Sequence, residues 1–152
     1  MSELRIVQAG MQHLDVLTPL FDAYRVFYEQ PSDERAARAY LHARLSGLDA
    51  IVFIAFDGDT PAGFTLLYPS FSSVSLGRVW ILNDLFVTPE AREQGVGEAL
   101  LKRAATFGKQ TGADKLTLQT QVENETAQRL YERLGWQRNT EFFAYTLKLG
   151  QS

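Results

Sequence analysis

The chain contains no cysteine. That excludes disulfides, thiolate metal sites and a cysteine nucleophile, and it suits the reducing cytoplasm, which is the expected location. No apolar run approaches the roughly 20 residues that span a bilayer, and the start, Met1 to Val7, lacks a basic-then-apolar signal pattern. No membrane role is expected. Histidine occurs only twice. His13 and His42 fall in no motif and read as surface helix residues, so no metal site and no histidine-based triad is expected. Positive charge is not in excess: 15 Lys and Arg against 18 Asp and Glu give a net charge of −3. This argues against a nucleic-acid partner and suits a cationic amine. Internal repeats, linkers and low-complexity segments are also missing. What remains is 152 residues, 45% hydrophobic and 12% aromatic, enough for one domain, residues 1–152, with a real core.

Apolar periodicity sets the expected elements. Leu4 to Ala9 alternates as a first strand. Leu14 to Tyr28 is a helix, with Leu14, Leu17, Phe21, Tyr24 and Tyr28 at helical spacing; Pro19 in its early part leaves a later start open. Pro31 to Asp33 is a turn and cap, and a second helix follows over Asp33 to Leu45. Ala50 to Phe56 is a strand, Asp57 to Asp59 a hairpin turn, and Pro61 to Tyr68 the next strand. Pro69 to Ser75 reads as a loop. Leu76 to Val87 is a long central strand, Gln94 to Thr111 a helix, Lys115 to Gln121 a strand, residues 125–134 a short helix, and a last strand lies within Trp136 to Leu149. The order βααβββαβαβ predicts a mixed α/β fold: a central mixed sheet with helices on both faces.

Two segments carry chemistry. In the first, Arg92-Glu93-Gln94-Gly95-Val96-Gly97 turns from the central strand into a helix. Free backbone N–H groups at the positive end of a helix form an anion site. Gly95 and Gly97 let a phosphate approach the backbone, and Arg92 adds a fixed cation. No Gly-Lys-Ser/Thr follows, so this is not a Walker loop; without the third glycine it is not the dinucleotide fingerprint either. In the second, Asn124 is an N-cap and Gly135 a helix stop. Ala127, Leu130, Tyr131 and Leu134 share one face of the helix between them.

Both segments resemble the GNAT superfamily of N-acetyltransferases. Arg92-x-x-Gly95-x-Gly97 is similar to the family's Arg/Gln-x-x-Gly-x-Gly/Ala coenzyme A loop. Asn124-x-x-Ala127-x-x-x-Tyr131-x-x-x-Gly135-Trp136 is similar to its second signature, and the two stand in the right order and separation. Asn83 to Val87 and Tyr68 to Ser73 look most like the diamine (spermidine/spermine) and yeast Hpa-type branch. The resemblance implies acetyl-coenzyme A as co-substrate, held by Leu85, Phe86, Val87, the loop Arg92, Glu93, Gln94, Gly95, Val96, Gly97 and Glu98, and by Asn124 and Tyr131. It implies a splayed parallel strand pair, with the Leu85 N–H beyond a bulge near Asn83 and Asp84 facing the acetyl oxygen. It makes Tyr131 the general acid.

The remaining roles are read from the residues. Asp84 is the only carboxylate in the central strand: either the general base or a structural Asp that stabilises the bulge. Asn83 stands where the polyamine branch carries a Glu, and Asn can neither take a proton nor pair with an ammonium, so a water chain is the alternative base. The acceptor pocket is expected between the first helices and the Pro69–Ser75 loop, with Phe27, Tyr28 and Asn83 as substrate-binding residues. Core packing accounts for Phe21, Tyr24 and Tyr28, whereas Phe27 falls off that stripe. The expected function is acetyl transfer to a primary amine of a small molecule in a ternary complex. The alternatives are a non-catalytic acyl-coenzyme A sensor and a protein or peptide N-acetyltransferase. The aromatic run Phe142 to Leu147 favours a homodimer.

Overall fold

The computed structural model describes residues 3–150. It divides into two compact units, one up to Gln119 and one from Thr120.

The first unit is a five-stranded sheet in the order β1-β2-β3-β4-β5. The strands are β1 (Leu4–Gln8), β2 (Ile51–Asp57), β3 (Thr60–Ser72), β4 (Gly77–Val87) and β5 (Lys115–Thr117). All pairings are antiparallel except β4 with β5, which is parallel. Helices α1 (Leu14–Phe27) and α2 (Glu34–Ser46) share a core with one sheet face: Leu17, Phe21, Leu41 and Leu45 pack with Val52, Ile54, Phe64, Leu66 and Phe86. Helix α3 (Val96–Gln110) covers the other face, where the Phe107 ring meets Phe53 at 5.6 Å and Trp80 at 5.0 Å. With both faces covered, β2 is buried continuously from Val52 to Phe56 instead of alternating. The second unit contains α4 (Glu125–Arg133).

Three expectations need correction. Pro69 to Ser75 is not a loop as far as Ser72, because β3 runs on and Pro69 pairs with Trp80 and Ser72 with Gly77. The β2 pairing ends at Ile51 with Leu67, so beyond it β3 has one free edge, where a proline lacking N–H is tolerated. Strand β5 stops at Thr117 rather than Gln121. Residues 136–149 carry no strand assignment; a strand is defined by a ladder partner, and the second unit holds only α4. The start left open by Pro19 falls at Leu14, with the proline inside α1. The Thr18 hydroxyl donates to the Leu14 carbonyl at 2.8 Å in the turn that the proline weakens.

An irregularity in β4 decides which face its last residues meet. Asp84 pairs with Leu66 and Leu82 with Leu67, so Asn83 is an extra residue with no partner. Trp80 faces α3, whereas Phe86 faces α1, with its ring 6.0 Å from Tyr24 and 6.2 Å from Phe27. Positions 80 and 86 share a face in a regular strand; the bulge moves Asp84 and Phe86 to the α1 side. The buried Thr65 hydroxyl donates to the Asp84 carbonyl at 2.8 Å and ties down the bulge. Thr65→Val keeps the shape and orphans that acceptor. We expect it to cost about 1–3 kcal/mol in chemical denaturation, whereas an unchanged midpoint would show that the bulge holds without it.

Candidate active site

Just before the bulge β4 loses its parallel neighbour. Val79, Trp80 and Ile81 pair with Lys115, Leu116 and Thr117, and there the β5 ladder ends, while β4 continues to Val87. On the other side β3 still pairs with it, Thr65 with Leu85 and Phe64 with Phe86. Within this unit, the stretch carrying Leu85, Phe86 and Val87 therefore has an open edge facing away from β3. Such an edge presents backbone groups to an extended ligand.

The chain then turns into α3. A 3-10 turn at Pro89–Ala91 leads to Arg92. Glu93 (φ 65°) and Gly95 (φ 82°) both adopt left-handed conformations, the second at little steric cost because glycine lacks Cβ. Gly95 is the N-cap and offers no side chain to the helix. The first bond of the helix runs from the Ala99 N–H to the Gly95 carbonyl at 3.0 Å, so the N–H groups ahead of it are positioned for an anion. Gln94 braces the turn by donating to the Glu90 carbonyl at 3.2 Å. Arg92 Nε–H donates to the Val87 carbonyl at 3.1 Å, and its guanidinium carbon lies 5.2 Å from the centre of the Phe27 ring. Glu98, in the first turn, pairs with Lys102 at 2.9 Å. An uncapped helix start beside an anchored guanidinium fits a pyrophosphate group.

On the α1 side of the bulge lies a carboxylate among phenols. Asp84 is only 7% exposed. Its Oδ1 accepts from the Tyr24 hydroxyl at 2.6 Å and from the Asn83 amide at 3.1 Å. Among the described residues no hydrogen bond reaches Oδ2. Burial pushes the Asp84 pKa above the usual carboxylate value, and the Tyr24 and Asn83 hydrogen bonds oppose that rise. Burial and the contact with Asp84 push the Tyr24 phenol well up. Tyr40 and Tyr68 share a hydrogen bond between their hydroxyls, and Tyr68 is raised by its burial and by that bond.

The second unit holds the other motif. Asn124 Oδ1 accepts from the Ala127 N–H at 3.2 Å and caps α4. Gly135 (φ 101°) ends the helix, and the Trp136 N–H donates to the Tyr131 carbonyl at 3.0 Å. Ala127, Leu130, Tyr131 and Leu134 are all partly buried, forming the expected face, and the Tyr131 ring lies 6.1 Å from Trp136.

Residues 17–136 match the acetyltransferase (GNAT) family. An uncharacterised N-acetyltransferase of Bacillus subtilis (strain 168), YhfO, is 45% identical over 96% of this chain and 98% of its own length. The crystal structure of a probable acetyltransferase superposes with a TM-score of 0.91 at 43% identity, over 97% of this chain and 99% of that one. A thialysine N-epsilon-acetyltransferase of Bos taurus is 37% identical over 55% of this chain and 49% of its own length.

The chain belongs to the GNAT acetyltransferase family.

It is accordingly an acetyltransferase, and acetyl-coenzyme A, the donor that GNAT enzymes use, is its co-substrate. The GNAT motif residues Arg92 to Glu98 are brought together with Leu85, Phe86 and Val87. Asp84 and Asn83 meet at the bulge. Phe27 is 58% exposed and lies under Arg92, while Tyr28 is 45% exposed with its ring 5.0 Å from Tyr24. Sequence spacing assigned Tyr24 to the core and passed over Tyr40 and Tyr68. Tyrosine in place of Phe or Leu on an apolar stripe was the available signal, since a buried phenol needs a partner. The two histidines stay outside the site: His13 Nδ1 accepts from the Gly10 N–H at 2.9 Å, and His42 lies on α2. Among the described residues no cluster of His, Cys, Asp and Glu is arranged to hold a metal, and no helix is long and apolar enough to cross a membrane.

The raised Asp84 pKa has a stability consequence. Folding favours the protonated carboxyl, so its contribution is full below the unfolded pKa of about 3.9 and is lost as pH rises through the higher folded value. Asp84→Asn keeps an oxygen for Tyr24 and removes this titration. We expect the variant to melt at or above the wild-type temperature at neutral pH, with a shallower fall in stability from acid to neutral. A lower melting temperature at pH 7 together with an unchanged pH slope would contradict it.

Proposed function

We propose that this acetyltransferase moves the acetyl group of acetyl-coenzyme A to a primary amine of a small molecule, by direct attack in a ternary complex. The observation that carries the reading is Asp84: a buried carboxylate set by a bulge at the point where β4 parts from β5, just ahead of the phosphate-type loop. Acetyl-coenzyme A supplies an activated thioester carbonyl. The Arg92–Glu98 backbone and the Arg92 guanidinium bind its pyrophosphate, and the open edge at Leu85, Phe86 and Val87 pairs with its extended arm. The Leu85 N–H polarises the acetyl oxygen; one preorganised donor of this kind lowers a barrier by about 3 kcal/mol.

A primary amine with a pKa near that of lysine, about 10, arrives protonated at neutral pH. Asp84 takes the proton, and its raised pKa brings it nearer the working pH of a general base. The amine nitrogen bonds to the carbonyl carbon and releases its second proton to solvent, from which the Tyr131 phenol is later reprotonated; the carbon–sulfur bond breaks, and the sulfur leaves with the electron pair. Tyr131 protonates the sulfur; the support for this role is its place in the family's second signature. Asn124, besides capping α4, hydrogen-bonds the arm's amides.

Phe27, Tyr28 and Asn83 border the acceptor. The bovine relative's name supports a side-chain amine on a small molecule. The resemblance of β4 to the diamine branch also points to amines, but Asn83 donates to Asp84 instead of offering a second carboxylate, which favours a single ammonium over a polyamine. The reading includes a cytoplasmic location, suited to a chain without cysteine. It also includes a homodimer, supported by the exposed Phe142, Phe143, Tyr145 and Leu147; light scattering should give twice the chain mass, and a monomer at high concentration would remove that part.

A panel of small amines, polyamines, amino acids and peptides, read by free thiol release, tests the acceptor class, and turnover only with peptides would overturn it. Tyr131→Phe keeps the ring and removes the proton. With a turned-over amine, kcat should fall roughly 10²–10⁴-fold with coenzyme A affinity little changed. A rate within about threefold of wild type would leave sulfur protonation to water, well short of the effect of a general acid.

A further inference from the structure

Tyr24 does more in this fold than fill space. Its ring sits in a cage of aromatic neighbours: Tyr28 at 5.0 Å, Phe64 at 5.5 Å, Phe86 at 6.0 Å and Phe21 at 6.2 Å. A ring held on several sides has a fixed axis, so its hydroxyl has a fixed address. That address is Asp84 Oδ1, at 2.6 Å. The Asn83 amide reaches the same oxygen from the bulge. The carboxylate torsion of an aspartate is broad and roughly two-fold. A flip only exchanges two equivalent oxygens; what the two donors fix is the carboxylate plane, with one oxygen held by Tyr24 and Asn83 and the other turned away from them.

We propose that Tyr24 is the positioning residue of the acceptor site: by holding Asp84 Oδ1, it leaves Oδ2 as the oxygen that takes the proton from the acceptor ammonium. The proposal rests on the reading of Asp84 as the base. The geometry also sets the electrostatics. A donor on Oδ1 favours the charged carboxylate and counteracts part of the rise due to burial. Besides Tyr24, the titratable group that interacts with Asp84 is Tyr68 on β3; Tyr28 on α1 lies beside Tyr24, and Tyr40 and Arg44 on α2 lie beside Tyr68. Arg44 lies over the Tyr40 ring at 5.2 Å and Arg92 over Phe27. Among the described residues, the hydrogen bonds to the carboxylate come from Tyr24 and Asn83.

Tyr24→Phe separates positioning from packing, because it keeps the ring and its aromatic neighbours. Two readouts are taken on the full chain. Carbon NMR follows the Asp84 carboxyl through its titration, and steady-state kinetics give the pH profile of kcat/KM for an amine that the wild type turns over. Without the phenol donor the carboxyl should titrate about one pH unit higher. The acidic limb of kcat/KM should move up with it, giving about a tenfold loss on the acid side, and the plateau above the limb should fall too, because the base is no longer held toward the acceptor. The KM for acetyl-coenzyme A should stay at its wild-type value. A titration and a limb that both coincide with wild type, in a protein whose Asp84→Asn variant is inactive, would overturn the positioning role. An Asp84→Asn variant with wild-type turnover would overturn the underlying reading of Asp84 as base.

Discussion

Asn83 has no partner across the strand pair, and the arrangement of the site depends on that missing partner. A strand alternates faces strictly, so a carboxylate two positions after the α3-facing Leu82 belongs under α3 in a regular β4. There it meets the packed layer around Phe107 and Trp80, whose indole N–H is already donated to the Thr111 hydroxyl. One inserted residue resets the phase. It brings Asp84 and Phe86 to the side where α1 and α2 supply hydroxyls and rings. The ladder to β5 ends two residues before the insertion, at Ile81, so the change of face and the opening of the edge fall in the same short stretch. A bulge bends its strand and sharpens the local twist, which works against extending a parallel ladder past it.

Placing a carboxylate there has a cost, and the surrounding groups limit it. Burial alone favours the neutral acid, which cannot accept a proton. Hydrogen bonds from Tyr24 and Asn83 favour the anion. The balance leaves a carboxyl above its ordinary range but still supported as an anion, the condition that a base facing a protonated amine requires. Satisfying only one oxygen is part of that balance: a donor on Oδ2 as well would stabilise the anion further and occupy the atom that the proposed base uses to receive the proton. The same site thus carries the stability penalty and the chemistry, which is common where function needs an imperfectly solvated group.

Much of this was legible in the residues. Helical spacing located α1, α2 and α3, turn residues located the β2–β3 hairpin, and the glycine spacing after β4 marked the left-handed turn into α3 at Gly95, because each of these is a local signal. Asn124 and Gly135 bounded α4 for the same reason. The extension of β3 through Pro69 was not legible, since it depends on β2 ending early and freeing one edge, a fact about a distant segment. The short β5 and the unassigned stretch after Trp136 were missed because strands exist only in pairs. Tyr24 packs on the core as its spacing indicates, but helical spacing says only which way a side chain points, and nothing about the carboxylate 60 residues later that its hydroxyl meets.

The last turn of α1 couples the proposed donor side of the site to the proposed acceptor side. Tyr24 and Phe27 are three residues apart and so project from neighbouring points on one helical face. Tyr24 ends on the Asp84 carboxylate, on the acceptor side, and Phe27 lies under the Arg92 guanidinium, at the donor loop. Between them the Phe86 ring touches both. Arg92 in turn is bonded to the Val87 carbonyl, one residue along the strand from Phe86. Within this unit, therefore, one helical turn and the end of one strand hold both the cation of the donor loop and the carboxylate of the acceptor side. Neither side chain can shift far without moving a ring that the other packs on. The cation contact is half-exposed and worth only about 0.5–1 kcal/mol, too little to lock the loop by itself. Its structural weight comes from sharing Phe86 and α1 with the buried Tyr24–Asp84 bond, so that the firm contact on the acceptor side steadies the weak one on the donor side.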